Sequence, residues 1–212
     1  MMIASFDVDA QRTFTPLCPG ELPVPGGDQI AEELNAQAAL AHFRIASKDA
    51  HNPNAKWVVA SHDDMLQPLD YPDTDLTWVR HAETGTPGFE LIPGLPRPQA
   101  YDFLVYKGVE NDMHPYGACY HDLKDRISTG VIEWLRCNEV NTVLVGGLAL
   151  DFCVKTTAIQ LANAGFTVYL NQAACRAISP QGAKAACQEM VRAGIHLVDN
   201  ARTLAQLVKK DS

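Results

Sequence analysis

The stretch from Asn141 to Ala162 constrains the fold more than any other part of this chain. Asn141 to Gly146 is short, apolar and rich in β-branched residues, as a parallel strand covered on both faces should be. Gly146 and Gly147 permit a sharp turn. Val154, Ala158, Leu161 and Ala162 then fall at i, i+4, i+7 and i+8, one stripe of an amphipathic helix. Strand, tight turn and helix in that order are half of a βαβ unit.

The alternation recurs along the chain. Met2 to Val8, Phe43 to Ser47, Tyr101 to Tyr106, Phe166 to Leu170 and Ile195 to Val198 read as further strands, with a weaker one at Trp57 to Ala60. Asp28 is placed as the N-cap of a helix with Ile30, Leu34 and Ala41 facing inward. Thr129 to Arg136 reads as a second helix. Ser179-Pro180 supplies a cap and first-turn pair for a helix ending near Gly194, and a last helix starts near Ala201. These signals predict an α/β fold, a three-layer α/β/α sandwich around a mostly parallel sheet of about six strands, with right-handed crossovers.

Composition narrows the function classes. At 212 residues, with 47% hydrophobic and 20% charged residues, residues 1–212 fit one globular domain. A net charge of −8 argues against nucleic acid or an anionic membrane as partner, since both need a basic face. No segment approaches the ~20 apolar residues of a membrane span. Six cysteines without a C-x-x-C pair read as reduced thiols in a cytoplasmic protein.

In a parallel sheet, ligands bind beyond the carboxyl ends of the strands. Asp9, Asp49, Lys107 and the turn carrying Cys153 all fall there. A cysteine at a helix start, near a carboxylate and an ammonium, suits a nucleophile with a general base and an electrostatic activator. The same residues also suit a structural ion pair beside an inert thiol. Asp49-Ala-His51, with His81 further on, offers a carboxylate and two imidazoles to a divalent transition metal. Spacing alone equally allows surface polar groups. His62, Asp63, Asp64 or a water would supply a fourth ligand. Phe14 and Trp78 could stack on a flat ring or fill the core. Gln11 and Tyr116 could hydrogen-bond a substrate or tie loops together. Asn52 to Pro98 lacks any sustained period, and so long an irregular stretch usually carries function.

Taken together, these motifs resemble the isochorismatase-like cysteine hydrolases, and among them the nicotinamidases. The resemblance rests on Val8-Asp9-Ala-Gln11 with Phe14, Gly20-Glu-Leu-Pro-Val-Pro-Gly-Gly27, and Ser47-Lys-Asp49-Ala-His51. It continues in Trp78-Val-Arg-His81 with Gly85-Thr-Pro-Gly88, Tyr106-Lys107-Gly108, and Gly147-Leu-Ala149-Leu-Asp151-Phe-Cys153-Val. It implies that Cys153 is the nucleophile, Asp9 the base, and Lys107 the group that lowers the thiol pKa. It implies an oxyanion hole from the N–H groups of Ala149 and Cys153, and a cis peptide just before Ala149. Asp49, His51 and His81 would hold zinc, iron or manganese, with zinc favoured. Phe14 and Trp78, helped by Gln11 and Tyr116, would hold a pyridine ring. The implied substrate is a small molecule, nicotinamide or a related pyridine carboxamide, and members of the family often self-associate.

The sequence departs from the family at Thr13, Asn52, Val79 and Ala82, and at His114-Pro-Tyr116-Gly-Ala, where many members have Ser-Tyr-Ser. Relatives acting on carbamoyl or ureido compounds generally lack the Asp-x-His pair and the later histidine, and isochorismatases lack the cysteine. A catalytically silent binding domain would have no need of cysteine, aspartate and lysine together.

Overall fold

The structure is a computed structural model and describes residues 2–208. Among the described residues, ten strands and five α-helices follow one another: β1 (Met2–Val8), α1 (Ala31–Ala38), β2 (Phe43–Asp49), β3 (Val58–Val59), β4 (Pro68–Tyr71), β5 (Thr74–Leu76), β6 (Trp78–Val79), β7 (Phe103–Lys107), α2 (Val131–Cys137), β8 (Val140–Leu148), α3 (Lys155–Asn163), β9 (Thr167–Arg176), α4 (Pro180–Arg192), β10 (His196–Val198) and α5 (Ala201–Val208). Six strands form one sheet in the order β10-β9-β8-β1-β2-β7, and every pairing in it is parallel.

Parallel strands need crossovers, and helices provide them on both faces. Val131, Ile132 and Leu135 of α2, Ala158 and Leu161 of α3, and Ala186 and Met190 of α4 pack on Ala4, Phe6, Val143 and Val145. On the other face, Leu204 and Val208 of α5 meet Ile3, Leu144 and Tyr169. Leu34 of α1 packs there too, in a cluster shared with the loops that follow β1 and β2. The expected sandwich of six parallel strands is therefore present.

Three local expectations need correction. Asp28 does not cap α1: it lies in a 3-10 turn, Gly27–Gln29, opened by Gly26 in the left-handed region, and Ile30 precedes the helix without a side-chain cap. Consequently α1 is short, and Ala41 lies beyond its end. The turn at Cys153 is not an ordinary first α turn. Leu150–Val154 forms a π turn, in which the Val154 N–H donates to the Ala149 carbonyl at 3.1 Å, before α3 begins. Wide turns of this kind are frequent at functional sites. Ser179, by contrast, caps α4 as expected, accepting from the Gly182 N–H at 2.9 Å.

Gly147 fixes how closely β1 and β8 approach. Its φ is +139°, and a Cβ there would lie 1.9 Å from the Val8 carbonyl oxygen. The clash is with backbone, which cannot rotate away. Gly147→Ala is expected to destabilise the protein by about 3 kcal/mol or more, from overpacking and backbone strain combined. Urea denaturation checks this; unchanged stability would mean that the two strands can separate freely.

Candidate active site

The carboxyl ends of β1, β2, β7 and β8 converge, because these four strands are adjacent in the sheet order β8-β1-β2-β7. Residues scattered along the sequence thereby meet. Asp9 follows β1 with φ +43°, a left-handed conformation unusual for a side-chain-bearing residue. Ser47 of β2 holds it from two sides. The hydroxyl donates to Asp9 Oδ1 at 2.6 Å and accepts from the Asp9 N–H at 3.2 Å.

Lys107, the last residue of β7, is fully buried. Its Nζ lies 3.0 Å from Asp9 Oδ2 and 3.7 Å from Cys153 Sγ, donates to the Pro115 carbonyl at 3.2 Å, and also donates to Asp49 Oδ1. Asp9, Asp49 and Cys153 bring oxygen and sulfur atoms within 4.8 Å of one another. The ammonium takes the cation position among them, so this group is a charge cluster built around lysine.

Electrostatics follow from burial and charge count. Burial and the two carboxylates lift the Cys153 thiol well above its usual range, and Lys107 opposes them without prevailing. Lys107 acts on the thiol in the expected direction, and the two anions sharing the ammonium act against it. Burial raises Asp9, Lys107 opposes, and Asp49 adds to the rise. Burial also penalises the Asp49 charge, but Lys107 and His51 more than offset it and hold that carboxyl below the ordinary range. Burial alone would neutralise Lys107, yet Asp49 and Asp9 keep it charged well above its ordinary range.

A second cluster adjoins the first. Asp49 Oδ2 lies 3.4 Å from His51 Nε2, and the His51 and His81 rings are 4.6 Å apart. The Nδ1 atoms of both rings pair with backbone carbonyls, His51 with Gly108 at 2.9 Å and His81 with Val79 at 2.7 Å. As N–H donors there, both rings keep Nε2 as a lone-pair donor, the arrangement that orients metal-binding imidazoles. Gly108 makes this possible for His51, because a Cβ on it would sit 2.3 Å from the ring. Burial, with His51 close by, pushes the His81 pKa down to about 3, so it stays neutral, as a ligand must be. His51 Nε2 is buried with no hydrogen-bond partner. A carboxylate and two imidazoles with an orphaned nitrogen fit a divalent transition metal.

His62, Asp63 and Asp64 do not reach this cluster. They form an exposed 3-10 turn capped by Ser61, and His62 Nε2 pairs with the Glu21 carbonyl at 2.6 Å. A third histidine does reach it: His114, on the loop after β7, has a ring nitrogen within 4.8 Å of those of His51 and His81. The signal was in the sequence, in the histidine of His114-Pro-Tyr116, but spacing did not connect it to Asp49.

Beside both clusters lies a small cavity of about 20 Å³. Phe14 and Trp78 line it, as do Tyr116 and Phe152, and Cys153 and Ala149 open onto it. The Leu148-Ala149 peptide is cis. Trp78 Nε1 donates to the Tyr116 hydroxyl at 3.4 Å, which in turn donates to Asp75 at 2.8 Å. Gln11 ties loops together. Its Nε2 donates to the Asp49 carbonyl at 2.9 Å and the Phe89 carbonyl at 3.1 Å, and its oxygen accepts from the Asp49 N–H at 2.8 Å. Gln11 thus fixes the backbone that carries the Asp49 carboxylate. Phe152 and Ser47 join the site without having been singled out, although Ser47 stands inside the Ser47-Lys-Asp49 motif.

Comparison with known proteins gives consistent results. Residues 5–202 match the family described as the Isochorismatase domain. A nicotinamidase of Acinetobacter baylyi is 32% identical over 202 residues, covering 93% of this chain and 92% of that protein. An L. infantum protein solved in complex with nicotinate superposes with a TM-score of 0.77 at 26% identity, over 93% of this chain and 92% of that one. The pyrazinamidase of Pyrococcus horikoshii, solved in complex with zinc, gives a TM-score of 0.70 at 29% identity, over 93% and 99% of the two chains.

Proposed function

This chain belongs to the isochorismatase family, and on that footing we propose that it is an amidohydrolase converting nicotinamide to nicotinate and ammonia through a thioester on Cys153. The observation carrying the reading is the buried contact set of Lys107, 3.0 Å from Asp9 and 3.7 Å from Cys153, beside an aromatic-lined cavity. The relative from A. baylyi supports the reaction, and the nicotinate complex supports the ligand class.

The pyridine ring lies between Phe14 and Trp78, with its carboxamide carbon toward Cys153. Asp9 takes the thiol proton as the sulfur attacks, so a carbon–sulfur bond forms and the carbonyl electron pair moves to oxygen. The N–H groups of Ala149 and Cys153 receive that oxyanion. Asp9 returns the proton to the amine, the carbon–nitrogen bond breaks and ammonia leaves. A water, deprotonated by Asp9, then cleaves the thioester; nicotinate departs and the sulfur regains its proton. Throughout, Lys107 stays charged and balances the negative charge passing between Asp9 and the sulfur. Asp49, His51 and His81 would hold a divalent ion, zinc being the choice that suits these donors and the P. horikoshii complex. Such an ion would supply a Lewis acid for the ring nitrogen and so orient the amide. All six cysteines are free, which supports a reducing, cytoplasmic setting.

Purified protein given nicotinamide should release ammonia, and a chelated sample should release far less. No ammonia from folded, zinc-loaded protein would end this reading. The pH profile carries a second expectation. Asp9 accepts a proton only when ionised, and burial raises its pKa above the ordinary 3.8. Activity should therefore fall as the pH drops, with the midpoint of the acid limb above that value. Full kcat/KM persisting down to pH 4 would contradict the assignment of Asp9 as base.

A further inference from the structure

His114 is the buried polar side chain whose environment the reaction above leaves unexplained. The residue is 4% exposed, yet neither ring nitrogen has a hydrogen-bond partner. Leaving both nitrogens of a buried imidazole unpaired is costly, and such groups in a folded protein call for a cause. The ring is held firmly. It stacks on His51 at 5.0 Å and 26°, meets Trp57 edge-on at 4.4 Å, and stacks against Trp78 at 5.7 Å and 24°. Its backbone N–H donates to the Asp73 carbonyl at 2.8 Å. Thus the turn between β4 and β5, the loop after β7 and the aromatic wall of the cavity all fix one imidazole against the other two.

We propose that His114 is the fourth protein ligand of the divalent-metal site, making the set Asp49, His51, His81 and His114. The inference rests on the reading that Asp49, His51 and His81 hold an ion. Donor atoms of His51, His81 and His114 lie within 4.8 Å of one another. Ligands of a single zinc ion are at most ~4.2 Å apart, twice the ~2.1 Å Zn–N distance, so a small ring rotation closes the set. The set is rich in imidazole, which suits zinc, copper, iron or nickel over magnesium or calcium. One nitrogen of His114 binds the ion. Because His114 also lines the cavity, it joins the metal to the wall that receives the substrate ring. The surface turn of His62, Asp63 and Asp64 then has no part in the site.

The test is zinc affinity, measured on metal-free protein by competition with a chromophoric chelator, together with the visible spectrum of the cobalt(II) form. Loss of an outer-shell partner alone weakens such sites 10–100-fold. His114→Ala should therefore bind zinc ~100-fold more weakly or worse, and its cobalt spectrum should differ from wild type. Added imidazole should restore both toward wild type. His114→Gln, which keeps much of the bulk, should show the same loss and serves if the alanine variant does not fold. His62→Ala should match wild type. Wild-type affinity and spectrum in both His114 variants, with binding lost in His51→Ala, would overturn this inference and leave the three-residue site standing. A wild-type protein that binds no zinc or cobalt would overturn both.

Discussion

Cys153→Ala is expected to lower kcat for ammonia release from nicotinamide by on the order of 10⁴-fold or more, the scale seen when the nucleophile of a cooperating set is removed. The variant should still fold, because alanine fills most of the space of a small buried side chain. It should still bind zinc, because the His51 and His81 nitrogens are arranged by Gly108 and Val79 rather than by the sulfur. Asp9→Asn should cause a comparable loss, since burial and two carboxylates raise the thiol pKa and the attack then calls for a base. The two residues act as a unit, so the double variant should be scarcely worse than either single one. Strictly multiplicative losses would show that Asp9 and Cys153 work independently, against the proposed mechanism. The measurement is steady-state ammonia release, with circular dichroism and zinc binding as controls.

Lys107→Met should have the largest effect on stability. It removes the only ammonium in contact with Asp9 and Asp49, among the described residues, and leaves two buried carboxylates facing each other. Breaking a buried ion pair by deleting one partner costs about 3–5 kcal/mol. The sign of the pH dependence follows. Without Lys107, the Asp9 carboxyl is raised further above its unfolded value, so the folded state holds a proton that the unfolded state has lost. Stability then falls as pH rises through the folded pKa, and the deficit relative to wild type shrinks toward acidic pH. Urea denaturation of the metal-free proteins at pH 5 and pH 8 checks this. A deficit equal at both would mean that lost packing, rather than charge, accounts for it. Activity should fall ~10³-fold as well, the scale of losing an electrostatic group that meets developing charge.

The fold was legible because its information is local. Asn141 to Gly146, Phe166 to Leu170 and the Ser179 cap each carry their own apolar or capping signal; the first lies within the strand Val140–Leu148 and the second overlaps the start of Thr167–Arg176. A parallel sheet buries strands that read as apolar runs. Asp28 misled because it stands where a cap should be, whereas Gly26 in its left-handed conformation starts a 3-10 turn there instead. The meeting of Asp9, Lys107 and Cys153 was legible because strand ends are predictable and the sheet order brings them together. The upward pressure on the Cys153 pKa was not, because it depends on counting two carboxylates and one ammonium in one buried volume. The sequence named Gln11 and His114 but left their partners open, for a related cause. Each owes its role to contacts with residues tens of positions away, Gln11 with Asp49 and Phe89, His114 with His51, Trp57 and Trp78. Pattern along the chain carries nothing about such meetings.

The covalent step is the most exposed part of the account, and hydroxylamine reports on it directly. If the nicotinoyl group rests on the Cys153 sulfur after ammonia has left, hydroxylamine competes with water for it. Turnover in its presence should then yield nicotinohydroxamate beside nicotinate, in a ratio that rises with hydroxylamine while ammonia release continues. Ammonia and nicotinate in equal amounts, with no hydroxamate at any hydroxylamine concentration, would mean that water attacks the amide itself and that Cys153 forms no bond to the substrate.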